Sequence, residues 1–461
     1  MKKVLSLLVL SSSLIAFNCR AQNTVLHSFN SLTGDLPNGS IIISGNMMYG
    51  MTGLGGAHNA GGVFKIDTNG NGYGDMLDFN ITNGYGPYGS LTLSGKVLYG
   101  MTDSGGMYGS GCVFSIDTNG ARYKDLLDFN GTNGKYPWGS LLLAGNKLYG
   151  MTLDGGAHDS GCVFSLDTNG TGYKDLLDFN GMNGSFPLGS LAFSGKLLYG
   201  MTEKGGMNDS GCIFSIDTAG NGYKDLFDFN GPNGSCPWGT VVISGKTMYG
   251  MGQTGGAYHV GCIFSLDTDG SGYKKLFDFN GALGGTPNSS LTLSGNTLYG
   301  MTYDGGLHDS GVIFSIDTNG NGYIDVYDFD GINGSYPWGS VTVSGRNLYG
   351  MTWGGGANNA GVIFSFHDTN TTNSVHELTS APEEINIYPN PCNNILNINF
   401  KIPINSPIIQ ITDISGRVIL TDRCQLSTDH FPLDVSSLSP GMYFIRLNSD
   451  SGAEVKKFIK E

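Results

Sequence analysis

Charged side chains are scarce in this sequence of 461 residues, since Asp, Glu, Lys and Arg make up only 13% of it. Between residues 24 and 366, arginine occurs only at Arg122 and Arg346, and glutamate only at Glu203. The net charge of −14 and the lack of basic clusters exclude a nucleic-acid partner, because phosphate contacts require clustered Lys and Arg. The lack of glutamate disfavours a glycosidase, which normally needs two carboxylates, one of them often glutamate.

Long apolar runs are also missing. The run from Val4 to Phe17 is too short to span a bilayer. It follows Lys2 and Lys3 and precedes a small-residue cleavage site at Ala21, so residues 1–21 are predicted to be a signal peptide. Cys19 leaves a lipoprotein as the less favoured alternative. No other stretch is apolar and long enough for a transmembrane segment, and no sustained helical period, nucleophile elbow or phosphate-binding loop is present.

Glycine is abundant, at 75 residues, and much of it lies in a repeat. The tripeptide Tyr-Gly-Met recurs seven times at a spacing of 50 residues, first at residues 49–51 and last at 349–351. A period in the range of about 20–50 residues indicates a solenoid or a propeller. In the second repeat, short strands are predicted at residues 90–94, 97–102, 112–117 and 125–129, because β-forming residues there are bounded by Gly, Asn or Asp. Four strands per unit, repeated radially, predict a β-propeller.

The ends of the repeat array predict how the ring closes. The seventh repeat has no fourth strand after Phe366, whereas the segment Thr24–Asn30, "TVLHSFN", matches the fourth-strand pattern "DLLDFNG". Pairing this segment with the seventh repeat would remove an open sheet edge. The predicted fold is therefore all-β: a seven-bladed β-propeller over residues 24–366 that is closed by the N-terminal strand, then a linker at 367–384 and a small C-terminal β-sandwich at 385–461.

The repeats resemble the GloVer tandem repeats of bacterial surface proteins. The matching residues in the second copy are Leu98 to Thr102, Gly105-Gly106, Gly111 and Val113-Phe114. The resemblance covers residues 24–366 and implies a propeller-like fold with surface display, but no reaction.

The C-terminal segment resembles the sorting domain of type IX secretion cargo. The motif residues are, in chain order, Tyr388, Pro389, Asn390, Pro391, Asp413, Gly416, Arg417, Gly441 and Tyr443. The resemblance implies that the type IX secretion machinery is a partner and that the protein is secreted or attached to the outer cell surface. An ordinary adhesive sandwich is the less favoured alternative. A disulfide between Cys392 and Cys424 is left open.

Two hairpins raise the question of calcium. Oxygen-bearing side chains stand at positions 1, 3, 5 and 9 of each, as in a calcium loop, and the hairpins also resemble those of FG-GAP propellers. The candidate ligands are Asp67, Asn69, Asn71 and Asp75, and Asp317, Asn319, Asn321 and Asp325. With two carboxylates per loop, only weak calcium binding is expected, and a plain Asn-Gly turn is the favoured alternative. No other cofactor is predicted. The recurring cysteines and the seven methionines are interpreted as core residues.

Aromatic residues at variable repeat positions are the candidate binding residues. Trp138, Trp238 and Trp338 lie in loops between repeats, and Tyr303 and Trp353 follow the second strand of their repeats. Variable loops on a rigid scaffold are where recognition usually takes place, although these rings could equally be wedges between blades. The predicted function is a secreted binding module for an extracellular glycan or protein. The alternative is a secreted enzyme that acts on polysaccharide or peptide.

Overall fold

The computed structural model describes residues 23–368, 385–400, 408–413, 418–423, 430–449 and 452–461. The chain divides into two compact parts, Met1–Asn373 and Ser374–Glu461. All regular elements of the described residues are strands, so the all-β prediction is confirmed. The predicted signal peptide, nearly all of the predicted linker, and Cys424 lie outside the described residues. None of the described segments is a helix that is long and apolar enough to cross a membrane.

Repeats 1 to 6 each form a four-stranded antiparallel sheet in simple up-and-down order. The first three sheets consist of Ile42–Ser44, Met47–Thr52, Gly62–Asp67 and Gly74–Asp78 (β2–β5); Thr92–Ser94, Val97–Thr102, Cys112–Asp117 and Lys124–Asp128 (β6–β9); and Leu142–Ala144, Lys147–Thr152, Cys162–Asp167 and Lys174–Asp178 (β10–β13). The next three consist of Ala192–Ser194, Leu197–Met201, Cys212–Asp217 and Lys224–Asp228 (β14–β17); Val242–Ser244, Thr247–Gly252, Cys262–Asp267 and Lys274–Asp278 (β18–β21); and Thr292–Ser294, Thr297–Met301, Val312–Asp317 and Ile324–Asp328 (β22–β25).

The seventh sheet takes its outer strand from the other end of the repeat array. Thr342–Ser344, Asn347–Thr352 and Val362–His367 (β26–β28) pair in order, and the N-terminal strand Asn23–Ser28 (β1) pairs antiparallel with β28. The register places Asn23 opposite Phe366 and Ser28 opposite Val362. The segment that resembles a fourth strand in sequence therefore occupies the fourth-strand place in this sheet.

The hydrophobic core lies between successive sheets. Side chains alternate along the second strand, so Tyr49 and Met51 join a cluster with Leu98 and Phe114 of the next repeat, whereas Met48 lies in a different cluster. Gly50 between them is required, because a Cβ there would come within 2.5 Å of the Phe64 ring. The Tyr-Gly-Met tripeptide thus packs one strand against neighbours on both faces.

One such cluster joins the last repeat to the first. It contains Phe29, Met48 and Phe64 together with Tyr349 and Met351. The buried side chains of the seventh sheet are therefore in contact with those of the first sheet, as each other sheet is with its neighbour.

The C-terminal part contains two sheets around one core. In chain order the strands are Ile385–Tyr388 (β29), Ile395–Phe400 (β30), Ile408–Asp413 (β31), Val418–Arg423 (β32), His430–Asp434 (β33), Gly441–Ser449 (β34) and Gly452–Lys460 (β35). The first sheet has the strand order β29-β30-β33, and the second has the order β32-β31-β34-β35. Leu396, Ile398 and Leu433 of the first sheet share a buried cluster with Ile411 and Phe458 of the second.

Candidate functional site

The loops that lead into the first strand of each repeat converge on one pocket. Its lining is built from seven copies of a tripeptide, which are Asn38-Gly39-Ser40, Tyr88-Gly89-Ser90, Trp138-Gly139-Ser140, Leu188-Gly189-Ser190, Trp238-Gly239-Thr240, Asn288-Ser289-Ser290 and Trp338-Gly339-Ser340. The cavity is small, with a volume of ≈ 80 Å³. Every repeat contributes to this one pocket, although the tripeptides are 50 residues apart in sequence.

The middle residue of the tripeptide lets the loops approach closely. A Cβ on Gly139 would lie 2.1 Å from the carbonyl oxygen of Gly189, and one on Gly339 would lie 2.3 Å from that of Gly39. Real Cβ atoms essentially never make contacts under 3.0 Å, so a larger residue at Gly139 or Gly339 would push these two loops apart. In the sixth repeat Ser289 stands at this position, and its hydroxyl donates to the carbonyl of Met301 at 3.3 Å.

The third residue of the tripeptide forms a closed cycle of hydrogen bonds. In each case a backbone N–H donates to the hydroxyl oxygen of the next repeat. The pairs are Ser40 to Ser90, Ser90 to Ser140 and Ser140 to Ser190, all at 2.7 Å, Ser190 to Thr240 at 2.9 Å, Thr240 to Ser290 at 2.8 Å, Ser290 to Ser340 at 2.9 Å, and Ser340 to Ser40 at 2.8 Å. The cycle fixes the pocket floor and returns from the seventh repeat to the first.

The first residue of the tripeptide supplies the aromatic mouth. Trp138 and Trp238 meet edge to face, with ring centroids 6.4 Å apart at 86°, and Trp238 and Trp338 lie 5.7 Å apart at 38°. Tyr88 lies 4.8 Å from Trp138 at 45°. The side chains between the tryptophans, Leu188 and Asn288, are buried. The large rings of Trp138 and Trp238, and those of Trp238 and Trp338, therefore contact each other past the smaller side chain between them, and all three line the pocket.

In three repeats, the variable residue near the end of the second strand contacts the mouth residue of the next repeat, 35 positions later. Trp138 Nε1 donates to Asp103 Oδ1 at 2.7 Å, and Gln253 Nε2 donates to Asn288 Oδ1 at 2.8 Å. The Tyr303 ring lies edge to face with Trp338, with centroids 5.4 Å apart. At each of these places around the mouth, the polarity and shape of the pocket edge thus depend on two variable residues, one from each of two adjacent repeats.

Two carboxyl groups stand in this supporting layer. Burial raises the pKa of Asp103 to about 6, while the hydrogen bond from Trp138 lowers it. Burial also raises the pKa of Glu203, against the smaller effects of the Lys204 charge and the Trp238 indole N–H. Trp238 Nε1 is buried and makes no hydrogen bond, so its effect on Glu203 comes from proximity. Half-buried carboxyl groups therefore lie beside two of the three tryptophans of the mouth.

The structure brings together four of the five predicted aromatic residues. Trp138, Trp238 and Trp338 line the pocket, and Tyr303 packs on Trp338. Trp353 follows β27, and its backbone N–H donates to the carbonyl of Tyr336 at 3.1 Å. The supporting roles of Asp103 and Gln253 were not predicted. In the sequence, the two residues of each such pair are separated by a constant 35 positions, and both positions vary among the repeats. This spacing does not by itself predict a contact, which is evident only when the fold places the two positions side by side.

The first aspartate of each candidate calcium hairpin already accepts hydrogen bonds from backbone N–H groups of its own turn. Asp67 Oδ1 accepts the backbone N–H groups of Asn69 and Asn71, both at 2.8 Å. These bonds, led by that from Asn71, lower the pKa of Asp67. Asp317 makes the same two bonds to Asn319 and Asn321. The fourth repeat has Asp217 in the same arrangement with Ala219 and Asn221, so this turn does not depend on Asn at the third position.

The last ligand position of these hairpins lies in a different environment. Asp75 accepts a hydrogen bond from the Tyr73 hydroxyl at 3.0 Å. Asp325 has a buried Oδ1 without a partner, and burial together with the nearby Asp328 raises its pKa to about 6. Among the described residues, no group of three or more His, Cys, Asp or Glu side chains is placed to hold a metal ion.

The recurring cysteines are buried in the core, as Cys112, Cys162, Cys212 and Cys262 are all 0% exposed. Burial raises the pKa of the Cys112 thiol to about 12, which disfavours the thiolate that metal binding requires. The methionines of the tripeptide, such as Met51 and Met101, are core residues too.

The sorting motif is tied to the last strand of the chain. Asn390 Nδ2 donates to the carbonyl of Lys457 at 3.0 Å, and Asn390 Oδ1 accepts the N–H of Ile459 at 2.9 Å. The Tyr443 hydroxyl donates to the carbonyl of Ser439 at 2.9 Å. Gly416 and Arg417 lie outside the described residues. Cys392 is buried, and its hypothetical disulfide partner Cys424 is not among the described residues.

Two protein-family models match the chain. The Gloeobacter/Verrucomicrobia repeat matches residues 14–192, 126–256 and 208–391. The secretion system C-terminal sorting domain matches residues 386–461. No curated protein matches the chain at a significant level.

The solved structures that match this chain have low sequence identity to it. The extracellular domain of a hybrid two-component system from B. thetaiotaomicron has 12% identity and a TM-score of 0.49, and the match covers 96% of this chain but only 59% of that protein. A protein described as a 6-phosphogluconolactonase from Bacteroides uniformis has 13% identity and a TM-score of 0.45, with coverage of 84% and 100%. TolB from Acinetobacter baumannii has 15% identity and a TM-score of 0.36, with coverage of 71% and 78%.

Proposed function

The chain belongs to the Gloeobacter/Verrucomicrobia repeat family, and we propose that it is an exported binding module. Its ligand enters the pocket to which all the repeats contribute. The type IX sorting domain at residues 386–461 makes the type IX secretion machinery a partner and the protein secreted or attached to the cell surface. The ligand is a glycan or a protein outside the cell.

The proposed scaffold is a seven-bladed propeller at residues 24–366 that is closed by the N-terminal strand. Three features support it: β1 is the fourth strand of the seventh sheet, the Ser340 N–H donates to Ser40, and one core cluster joins the seventh repeat to the first. A signal peptide at 1–21, a linker at 367–384 and a sorting domain at 385–461 complete the proposed organisation.

The observation that carries the binding proposal is the convergence of the tryptophans. Trp138, Trp238 and Trp338 come from three repeats and line one pocket. They stand at a position that also holds Asn, Tyr and Leu in other repeats, next to a Gly-Ser pair that hardly varies. Packing between repeats would favour the same residue in every copy. Differences confined to the mouth fit a ligand that is not symmetric.

Asp103 and Glu203 favour an enzyme as the second candidate function. Both carboxyl groups have a raised pKa, as a general acid does. However, Asp103 accepts the indole N–H of Trp138, and neither side chain lines the pocket. A binding function therefore has the stronger support.

The proposal is tested with the full chain on a glycan array and a peptide library, and the same compounds are screened for turnover. We expect binding without turnover, and loss of binding in Trp138→Ala and Trp338→Ala variants that retain the wild-type melting temperature. Met107→Ala, at an exposed loop residue, is the control and should bind normally. Turnover that Asp103→Asn abolishes would favour the enzyme instead.

Weak calcium binding at the first and sixth hairpins stays a prediction. Asp67, Asn69, Asn71 and Asp75 are the candidate ligands of the first, and Asp317, Asn319, Asn321 and Asp325 those of the sixth. For metal to bind, the oxygens of Asp67 and Asp317 would have to serve the ion as well as the turn.

A further inference from the structure

We infer that the pocket selects an organic cation, an ammonium group that carries apolar substituents such as methyl groups. This rests on the proposed function, because it assigns a ligand chemistry to the same pocket. Four lines of observation lead to it: the arrangement of the rings, the charge of the lining, the charge behind the rings, and the composition of the whole repeat array.

The rings at the pocket meet at steep angles and do not form one flat platform. Trp138 and Trp238 are nearly perpendicular, at 86°, and Tyr303 and Trp338 cross at 84°. A sugar ring stacks on one open aromatic face, whereas a tetrahedral ammonium group can touch several faces that point in different directions. Aromatic rings attract cations through the negative potential of their faces, and tryptophan does so most strongly.

The lining itself carries no charge. All residues that line the pocket are Asn, Gly, Ser, Thr, Tyr, Trp or Leu. The hydroxyl groups of the floor already accept a backbone N–H each, as Ser140 does from Ser90. An anion would therefore find no cationic partner in the lining, whereas a cation would find ring faces and neutral oxygens.

The charges immediately behind the rings are negative. The Asp103 carboxyl accepts the Trp138 N–H at 2.7 Å, which polarises the indole so that its face becomes more negative. Glu203 lies beside Trp238 in the same supporting layer. Of the nearby lysines, Lys135 is paired with Asp159 at 2.9 Å, and Lys204 is exposed. The local field therefore favours a positively charged ligand.

The composition of the chain points the same way. The net charge is −14, and the repeats contain only two arginines, Arg122 and Arg346. Neither of them lines the pocket. A positively charged ligand is therefore attracted towards the protein at long range and meets no competing guanidinium group in the pocket.

Intrinsic fluorescence is a direct probe of this site. The chain has four tryptophans. Three of them line the pocket, and Trp353 follows β27 of the seventh repeat. The full-length protein is titrated with choline and, as the matched neutral compound, with 3,3-dimethylbutan-1-ol, which has the same shape without the charge. We expect choline to quench the fluorescence and the neutral compound to bind more weakly by roughly 2- to 30-fold, the range of one cation–π contact.

Variants separate the parts of the inference. Trp138→Ala should weaken choline binding, and Trp138→Phe should restore part of it because a ring face returns. Asp103→Asn keeps an oxygen acceptor for Trp138 but removes the charge, so it should weaken choline binding and leave the neutral compound unaffected. Asp217→Asn, in the β16–β17 hairpin outside the pocket lining, is the matched control and should bind as the wild type does. Melting temperatures establish that each variant is folded.

The outcomes distinguish this inference from the proposed function. Equal affinity for choline and its neutral isostere would overturn the cation inference. Glycan binding that is lost in Trp138→Ala, without any choline binding, would also overturn it while the proposed function stands. The absence of glycan, peptide and choline binding together would overturn both. The wild type is also mixed with phosphatidylcholine vesicles. Binding to vesicles as well as to free choline would support the inference and make a lipid headgroup the carrier of the cation, in place of the glycan or protein of the proposed function. Binding to free choline alone would support the inference without that change.

Discussion

Asp103 and Trp138 show how single residues shape the pocket. The carboxyl group is held beside the indole by one hydrogen bond of 2.7 Å, and burial raises its pKa to about 6. The equivalent residue is Glu203 behind Trp238, Gln253 behind Asn288 and Tyr303 behind Trp338. At the scale of the residue, each sector of the mouth therefore has its own chemistry.

The titration of Asp103 gives a prediction on stability. The folded protein favours the protonated carboxyl, because its pKa is about 6 against an ordinary value of 3.8. Asp103 therefore costs the wild type stability as the pH rises from about 4 to about 6, whereas Asn does not titrate. The melting temperature of Asp103→Asn relative to wild type should rise through this range and stay constant above it. A difference that is independent of pH would contradict the assignment.

At the scale of the element, the N-terminal strand β1 has a histidine, His27, where the six other outer strands have Leu, Phe or Tyr. His27 stacks on Tyr73 of the first repeat with ring centroids 3.9 Å apart, and its Nε2 is buried without a partner. In the corresponding contact, Phe227 stacks on Tyr273 at 4.2 Å. Burial lowers the pKa of His27. A titratable ring therefore stands at the position where the first and last repeats meet.

This contact should make the protein sensitive to acid. Because the folded pKa of His27 lies below the ordinary value of 6.5, the stability of the folded state is complete above pH 6.5 and falls as the pH drops towards the folded pKa. His27→Phe, which copies the Phe227 contact, should remove this part of the pH dependence without loss of stability at pH 7.5. Melting curves between pH 4.5 and pH 7.5 test this, and identical pH profiles of the two proteins would refute it.

The hairpins between third and fourth strands offer a second test at this scale. Asp67 and Asp217 make the same two bonds to backbone N–H groups, but only the first hairpin has Asn at its third position. Asp67→Ala and Asp217→Ala should therefore destabilise the protein to a similar, small extent. If the first hairpin binds calcium, millimolar calcium should raise the melting temperature less in Asp67→Ala than in Asp217→Ala. Equal responses would leave the hairpin as a turn only.

At the scale of the whole molecule, the cycle of seven hydroxyl contacts connects every repeat to the next. Six of these bonds join residues 50 positions apart, whereas the bond from Ser340 to Ser40 joins residues 300 positions apart. In an open array that last bond would be absent. The proposed ring can therefore be tested by one substitution at the junction.

Ser40→Ala removes the acceptor of the Ser340 N–H, and Ser140→Ala removes that of the Ser90 N–H. In a closed ring both variants should lose about 0.5–1.5 kcal/mol of unfolding free energy, the net contribution of one intramolecular hydrogen bond, because these N–H groups are only half-buried. Ser94→Ala is the control, because Ser94 is exposed and the third repeat has Ala144 at that position. Denaturant unfolding measures all three. If Ser40→Ala left stability unchanged while Ser140→Ala lowered it, the array would be open.

Deletion of residues 24–30 should destabilise the protein far more than either serine variant, because it leaves β28 with an open edge.

Much of the local structure follows from the repeat alone. The predicted strands at 97–102 and 112–117 have the bounds that the structure shows. The first strand begins at Thr92 instead of Ser90, because the backbone N–H of Ser90 bonds to the neighbouring repeat and Leu91 is buried in the core. The fourth strand spans Lys124–Asp128 instead of 125–129, because the N–H of Phe129 donates to Gly111 and leaves the ladder.

The sequence by itself determined the period, the all-β fold, the export signal in the tail and the aromatic residues of the mouth. These are local properties, written in the alternation of side chains, in turn residues and in short motifs. The tertiary structure alone decided that Asp103 meets Trp138, that Asp67 serves its own turn, and that His27 faces Tyr73. Each of these contacts depends on how the sheets pack or on how a turn closes. The order of residues in the chain does not specify which side chains lie close together in three dimensions.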